Sequence, residues 1–171
     1  MNDADLRRFV QLFTLNDVEA TQRVSERLAL VRLEPATYQA QFAEELKERG
    51  IGATIPAQEL RDVALIDALL AEELLWESDW KDPVADLVYG INETLQQQHR
   101  AVRLEEPTSG RIAVTGPEAL DVVQDLLEPA GLALVLFTLD SDSYALSVVA
   151  DTQAEEARRL AQELGFGVTV Y

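Results

Sequence analysis

The sequence predicts an α+β protein in which an N-terminal helical region packs with a C-terminal ferredoxin-like βαββαβ module. Apolar residues recur at helical spacing through the first hundred residues, whereas short apolar runs alternate with helical patterns after residue 110. The change falls at residues 105–110, where Pro, Thr, Ser and Gly stand together as in a linker. We therefore predict a helical region over 1–104, a linker over 105–110 and the module over 111–171.

About five helices are predicted in the helical region. Each begins at a residue suited to a helix start: Asp3 or Asp5, Asn16, Pro35, Pro56 and Pro83. Gly50 is expected to end the third helix, because glycine adopts the left-handed backbone that closes many helices. The helix after Pro56 is apolar on a wide arc, which predicts a central position in the fold. It is predicted to end near residues 76–81.

The module is predicted as strand 112–114, a helix ending at Pro129, strands 132–139 and 144–149, a helix from Thr152 to Gly165, and strand 168–171. Residues 132–137 form an unbroken apolar run, which is typical of a strand buried on both faces. The module's own helices cover only one face of a ferredoxin-like sheet. We expect the N-terminal helices to cover the other face; the alternative is a second copy of the chain, as in a homodimer.

Composition excludes several classes of function. The 171 residues carry a net charge of −17, which disfavours binding to nucleic acid or to an anionic membrane. Residues 105–171 hold 12 acidic and 3 basic side chains, so the acidic excess is densest there. The chain has no cysteine, which excludes disulfides and thiolate metal sites. The acidic start lacks a secretory pattern and no apolar run approaches membrane length, so a cytoplasmic location is predicted.

Both tryptophans of the chain, Trp76 and Trp80, lie in one short segment with Asp79. Paired tryptophans are typical of a ligand-stacking wall or of an interface hot spot, so these three residues are candidate binding residues. The alternative is that the tryptophans anchor the helical region to the sheet.

Two further loops contain residues that could bind a ligand. Asp140 and Asp142 offer carboxylates that could hold a hard cation, but the other ligands of a calcium loop do not follow, and a hairpin turn is the favoured interpretation. We predict no metal and no cofactor. Gly116 lies at a strand-to-helix turn that could bind an amino acid, although a single glycine more often marks only a turn.

Catalytic motifs are missing from the sequence. His99 is the one histidine, and it lies in a Gln-rich stretch without a serine or an acid at suitable spacing, so we interpret it as part of a solvated helix end. The sequence has no phosphate-binding loop and no H-E-x-x-H motif. The prediction is that the protein is not an enzyme, with carboxylate-only catalysis left open by the abundance of acids.

Three features resemble small bacterial proteins that carry only an uncharacterised-domain label: the acidic helical start, the Trp-x-x-x-Trp-Lys segment ending at Lys81, and the hairpin at 140–144. The resemblance extends over most of the chain, and it implies no assigned activity and no catalytic residues. Separately, the predicted topology of residues 111–171 is similar to that of amino-acid-sensing regulatory domains, which is an analogy of fold alone.

The function predicted first is an acidic cytosolic protein-interaction module, of inhibitor or immunity type, that masks a basic surface on a protein partner. Glu118, Asp121 and Asp125 recur between the apolar positions of one helix, and we expect them to form a solvated acidic face that steers such a partner. The alternative is a small-molecule-sensing regulatory domain that binds its ligand at the Gly116 turn or across a dimer interface.

Overall fold

A computed structural model describes residues 2–108 and 110–171 as a mixed helix-and-sheet protein, which confirms the predicted α+β class. Met1 and Ser109, which belong to the predicted helical region and linker, lie outside the described residues. The helices are α1 (Asp3–Thr14), α2 (Val18–Leu33), α3 (Pro35–Gln41), α4 (Ala43–Glu48), α5 (Ala57–Ala71), α6 (Val84–Gln97), α7 (Gly116–Leu127) and α8 (Ala154–Leu164). The strands are β1 (Trp76–Asp79), β2 (Leu132–Phe137), β3 (Ser143–Ala150) and β4 (Val168–Val170).

The helix starts differ from the prediction by one residue in two places. The side chain of Asn2, and not of Asp3 or Asp5, caps α1 by accepting from the backbone N–H of Ala4 at 3.1 Å. The side chain of Asp17, and not of Asn16, caps α2. Six α-helices precede residue 105 in the part of the chain that the structure describes, because the helix predicted after Pro35 is divided into α3 and α4.

The four strands form one antiparallel sheet in the order β1-β3-β2-β4. The strand predicted at 112–114 was wrong: these residues form a turn, and the fourth strand is β1, inside the region predicted to be wholly helical. The carbonyl of Val114 instead accepts a hydrogen bond from the backbone N–H of Val84 at 3.0 Å, at the start of α6. The specific ferredoxin-like arrangement is not confirmed.

Helix α5 ends earlier than predicted, and this frees residues for β1. The N–H of Glu73 donates to the Leu70 carbonyl and the N–H of Leu74 donates to the Leu69 carbonyl, each at 2.9 Å. This pair of bonds is the Schellman motif, in which the residue at the turn has left-handed backbone. Glu73 fills that position with φ +58°, although glycine is the residue that favours it. Nothing in the sequence therefore marked the end of the helix.

The sheet lies between two helical layers, as the side-chain alternation of a strand requires. Ala133, Val135 and Phe137 of β2 share a core with helices α1, α2, α5 and α8. Leu132 and Leu134 point to the other face and share a second core with α6 and α7. The apolar run is thus buried on both faces, as predicted. N-terminal helices do cover the sheet, but they lie on both faces and not on one alone: α1, α2 and α5 on one face and α6 on the other. Helices α7 and α8 lie on opposite faces of the sheet.

Side chains complete the sheet where β1 stops. Strand β1 pairs only with the first half of β3. Further along β3, Ser147 donates to the Leu74 carbonyl at 2.7 Å and the buried Gln98 amide donates to the Val148 carbonyl at 3.0 Å. The neighbouring His99 is exposed, as expected for a solvated helix end, but Gln98 is a structural residue of the sheet edge.

The segment after α6 has no regular secondary structure and does not continue the helix. The buried Asn92 side chain holds it in place through two hydrogen bonds to Leu104: its Nδ2 donates to the Leu104 carbonyl at 3.0 Å, and its Oδ1 accepts from the Leu104 N–H at 2.7 Å. Leu104 thereby joins the core between α6, α7 and the sheet. The domain boundary at 105–110 stays a prediction. Two elements that precede it nevertheless belong with the sheet: β1 is one of its strands, and α6 covers one of its faces.

None of the helices in the described ranges is long and apolar enough to span a bilayer.

Candidate functional site

The structure separates the two tryptophans. Trp76 lies in β1 and is half-buried, with its ring edge-to-face against Tyr89 of α6 at 5.6 Å between centroids. Trp80 follows the strand, is 42% exposed, and has the Lys81 ammonium 5.4 Å from its ring centroid. Among the described residues no aromatic contact joins the two rings. The two rings therefore make separate contacts, Trp76 with Tyr89 and Trp80 with Lys81.

Three segments that the sequence singled out meet at Trp80. Its backbone N–H donates to the Asp142 carbonyl at 2.9 Å, and its carbonyl accepts from the Gly116 N–H at 3.0 Å. Gly116 has φ +67°, a conformation that side chains disfavour, so glycine is needed at this junction. The junction connects the end of β1, the hairpin between β2 and β3, and the start of α7.

We call the exposed residues around this junction the Trp80 surface. It comprises Asp79, Trp80, Glu118, Asp140 and Asp142, all of which are exposed to solvent. Its cation is Lys81, beside the indole ring. The junction thus brings the segments of an exposed tryptophan and four exposed acidic residues together, and Asp140 also lines a cavity of about 730 Å³ on the side of α4 and α5.

The hairpin at 140–143 is a turn, as the favoured interpretation proposed. The N–H of Ser143 donates to the Ser141 hydroxyl at 3.1 Å, a local bond typical of serine in turns. Within residues 2–108 and 110–171, no group of three or more His, Asp or Glu side chains could hold a metal ion.

The acidic face predicted on α7 is exposed. Glu118, Asp121 and Asp125 point to solvent, while the apolar residues between them face the core. Asp125 accepts from Arg111 at 2.8 Å, and both side chains are about half exposed. Solvent screens such a pair, so it contributes little stability, yet it reduces the negative charge at that end of the face.

A cavity of about 520 Å³ lies beside Trp76. We call it the Trp76–Tyr89 cavity; its walls include Glu73, Leu75, Trp76, Tyr89 and Glu93. Tyr89 is 57% exposed, which is high for a large aromatic side chain. Trp76 was a predicted candidate, whereas Tyr89 was missed because nothing in its helical pattern distinguished it from a surface position.

Gly90 makes room for the Trp76 ring. A Cβ atom at Gly90 would lie 2.1 Å from Trp76 Cγ and 2.2 Å from both Cδ1 and Cδ2, so the indole lies flat over the helix backbone. This close approach explains a glycine in the interior of α6, where it is otherwise unfavourable.

We expect Gly90→Ala to destabilise the protein by about 1–3 kcal/mol, because the new methyl group forces the indole away from α6. An exposed helical glycine would instead gain about 0.5–1 kcal/mol from the same change. Urea unfolding followed by circular dichroism measures the effect, and red-shifted Trp emission should accompany it. Gly52→Ala, in the loop between α4 and α5, is the steric control, since no atom lies within 4 Å of its added Cβ. Equal stability of the two variants would contradict the packing argument.

A second cavity, of about 730 Å³, contains a buried ion network that the sequence did not reveal. Arg49, which follows α4, donates through Nε to Asp67 of α5 at 2.7 Å and through Nη2 to Glu77 of β1 at 2.5 Å. The Asp67 side chain is only 9% exposed, and its Oδ2 has no hydrogen-bond partner among the described residues. The three residues come from distant parts of the chain, so no local spacing could have indicated them.

Burial and pairing act in opposite directions on this network. Burial raises the pKa of Asp67, and the hydrogen bond from Arg49 offsets this only in part. Burial also lowers the pKa of Arg49, but its hydrogen bonds to Asp67 and Glu77 outweigh that effect, so the Arg49 pKa lies above its ordinary value. Arg49 is therefore a permanent cation that compensates two carboxylates, which is a structural role.

A family model described as "Domain of unknown function (DUF6630)" matches residues 5–171, nearly the whole chain. This confirms the resemblance to a family that carries only an uncharacterised-domain label. No curated protein and no solved structure matches the chain.

Proposed function

The chain belongs to that domain family of unknown function, and we propose that it is a non-enzymatic, acidic cytosolic module that binds a basic protein partner, in the manner of an inhibitor or immunity protein. The observation that carries the proposal is the Trp80 surface, where a tryptophan that is 42% exposed and several exposed acidic residues belong to segments joined by backbone hydrogen bonds. Exposed aromatic anchors and complementary charge are the two contributions that a protein interface needs.

The negative charge and the Trp80 side chain have separate roles in binding a partner. The net charge of −17 attracts a basic partner and raises its association rate, an effect that salt screens. Charges at the rim of an interface contribute little to the lifetime of a complex. Trp80 supplies large apolar area that becomes desolvated on binding, which is typical of interface hot spots.

The Trp80 surface is held rigidly before any partner arrives. Asp82 Oδ2 accepts from the Ser78 hydroxyl at 2.6 Å and from the Asp79 N–H at 2.9 Å. Asp79 Oδ1 accepts from the Lys81 N–H at 2.8 Å. Together with the two backbone bonds of Trp80, these fix the turn, so a partner would lose little free energy in ordering it.

The alternative function, a small-molecule sensor at the Gly116 turn, stays a prediction. The Gly116 N–H donates to the Trp80 carbonyl, so this donor is already occupied by the protein. No other feature of the turn favours a ligand there.

The test is capture of a partner from the native host with the immobilised protein, followed by kinetics on the purified pair. We expect Trp80→Ala to weaken the complex by roughly thirtyfold, the effect of losing a hot spot of about 2 kcal/mol. Neutralising Asp79, Glu118 and Asp142 to their amides should slow association at low salt and have little effect at high salt.

The charge-matched control is Glu26→Gln/Glu34→Gln/Glu44→Gln. These three acids are also exposed, but they lie on α2, at its end and on α4, away from the Trp80 surface. Equal slowing by both triple variants would show that total charge, and not this surface, attracts the partner. Unchanged affinity of Trp80→Ala would overturn the proposed anchor.

A further inference from the structure

We infer that the Trp76–Tyr89 cavity binds a guanidinium group on an aliphatic chain, namely an arginine side chain of the basic partner. The inference deepens the proposed function, on which its choice of partner rests. The cavity adjoins the same strand that leads into Trp80, so one partner surface can contact both.

Two aromatic rings form one corner of the cavity. Their planes meet at 71°, with the Trp76 ring held on α6 by Gly90 and the Tyr89 ring 57% exposed. The faces of Trp and Tyr rings carry negative partial charge and attract cations, arginine in particular. An exposed aromatic corner of this kind suits the flat guanidinium group better than a neutral polar ligand.

Carboxylates without a cation complete the cavity. Glu73 and Glu93 line it and are exposed, and neither forms an ion pair with another described residue. Glu77 also lines it, but its charge is compensated by Arg49. No basic side chain belongs to the lining. Two uncompensated carboxylates beside an aromatic corner favour a cation that can both stack and donate paired hydrogen bonds, which is what arginine does.

The position of Glu73 makes the inference testable without a loss of stability. Its left-handed backbone favours glycine, so Glu73→Gly should raise the melting temperature by about 2–4 °C. His99 occupies the equivalent position at the end of α6, with φ +57°, and it does not line the cavity. His99→Gly is therefore a control that relieves the same backbone conformation and keeps the carboxylate.

The probe is N-acetyl-argininamide, with N-acetyl-citrullinamide as its uncharged equivalent of nearly the same shape. The chain has two tryptophans, so its indole N–H signals are assigned with Trp80→Phe. We expect the arginine probe to shift the Trp76 indole signal saturably and the citrulline probe to leave it in place. The affinity for the arginine probe should fall by about threefold or more in each of three variants, Tyr89→Ala, Glu93→Gln and Glu73→Gly. It should stay unchanged in His99→Gly.

The outcomes separate this inference from the proposed function. If both probes act equally, or if Glu73→Gly and His99→Gly bind the arginine probe alike, the guanidinium site is refuted. If a captured partner tolerates Tyr89→Ala but not Trp80→Ala, the inference fails and the proposed function stands. If the arginine probe binds as expected but no basic partner is captured, the cavity chemistry stands and its assignment to a protein partner fails.

Discussion

Replacing Arg49 with methionine should lower the free energy of unfolding by about 3–5 kcal/mol at neutral pH, because it leaves the buried Asp67 carboxylate without its cation. Methionine keeps much of the length of the arginine stem, so the effect isolates the charge. Urea unfolding measures it. The matched control is Arg159→Met, since Arg159 pairs with Glu163 on an exposed helix face and its loss should cost less than about 1 kcal/mol.

The loss of unfolding free energy caused by Arg49→Met should become smaller as the pH is lowered. The pKa of Asp67 is already raised by burial, and removal of Arg49 raises it further. A carboxyl whose pKa is raised in the folded state opposes folding only when it is ionised. The cost is therefore absent below the unfolded-state pKa of about 4, and it grows as the pH rises from there through the folded-state pKa. A second change, Asp67→Leu, should restore most of the lost stability at neutral pH. A deficit that is the same at acid and neutral pH would refute the role assigned to Asp67.

Replacing Asn92 with leucine should destabilise the protein by about 2–4 kcal/mol, because the N–H and the carbonyl of Leu104 would both lose their partner in a buried place. Leucine has the same branching at Cγ as asparagine but lacks its donor and acceptor, so the substitution removes both hydrogen bonds without opening a cavity. Unfolding in urea gives the magnitude, and faster hydrogen exchange at Leu104 locates it.

The control for Asn92 is Gln39→Ala. The Gln39 amide also donates to a backbone carbonyl, that of Ala53, but in an exposed position where water can replace it. We expect it to cost less than about 1 kcal/mol. Similar losses for Asn92→Leu and Gln39→Ala would mean that water reaches Leu104.

Local signals predicted much of the fold. Gly50 and Gly165 end α4 and α8 as the sequence indicated, each with the paired bonds of a Schellman turn. The apolar run in β2 correctly predicted burial on both faces. Strand β1 was not predictable in the same way, since Glu73 closes α5 where glycine is expected, and a charged edge strand lacks an apolar pattern.

The residues of the candidate sites were likewise predictable only where their residue type alone distinguished them. Trp80, Asp79 and Asp142 were singled out by residue type, and the structure connects their segments through backbone bonds that no sequence pattern encodes. Tyr89 and the Arg49 network were missed because their significance lies in neighbours far away in the chain. The chemical type of a residue can be read from the sequence, whereas its neighbours from distant segments are known only once the sheet and its helices have assembled.

The pairing of β1 with a strand far along the chain has a consequence for how the protein reaches its native state. Trp76 pairs with Leu146, so this edge of the sheet closes a loop of roughly 70 residues. Loops of that length form slowly relative to helices, and non-local pairing lowers folding rates. During synthesis the helices α1 to α5 leave the ribosome before the strands that cover their apolar stripes exist. That apolar surface stays uncovered until the strands are made. Residues 1–71 carry 12 acidic and 8 basic side chains, so most of the negative charge that opposes association by mutual repulsion is not yet present at that stage.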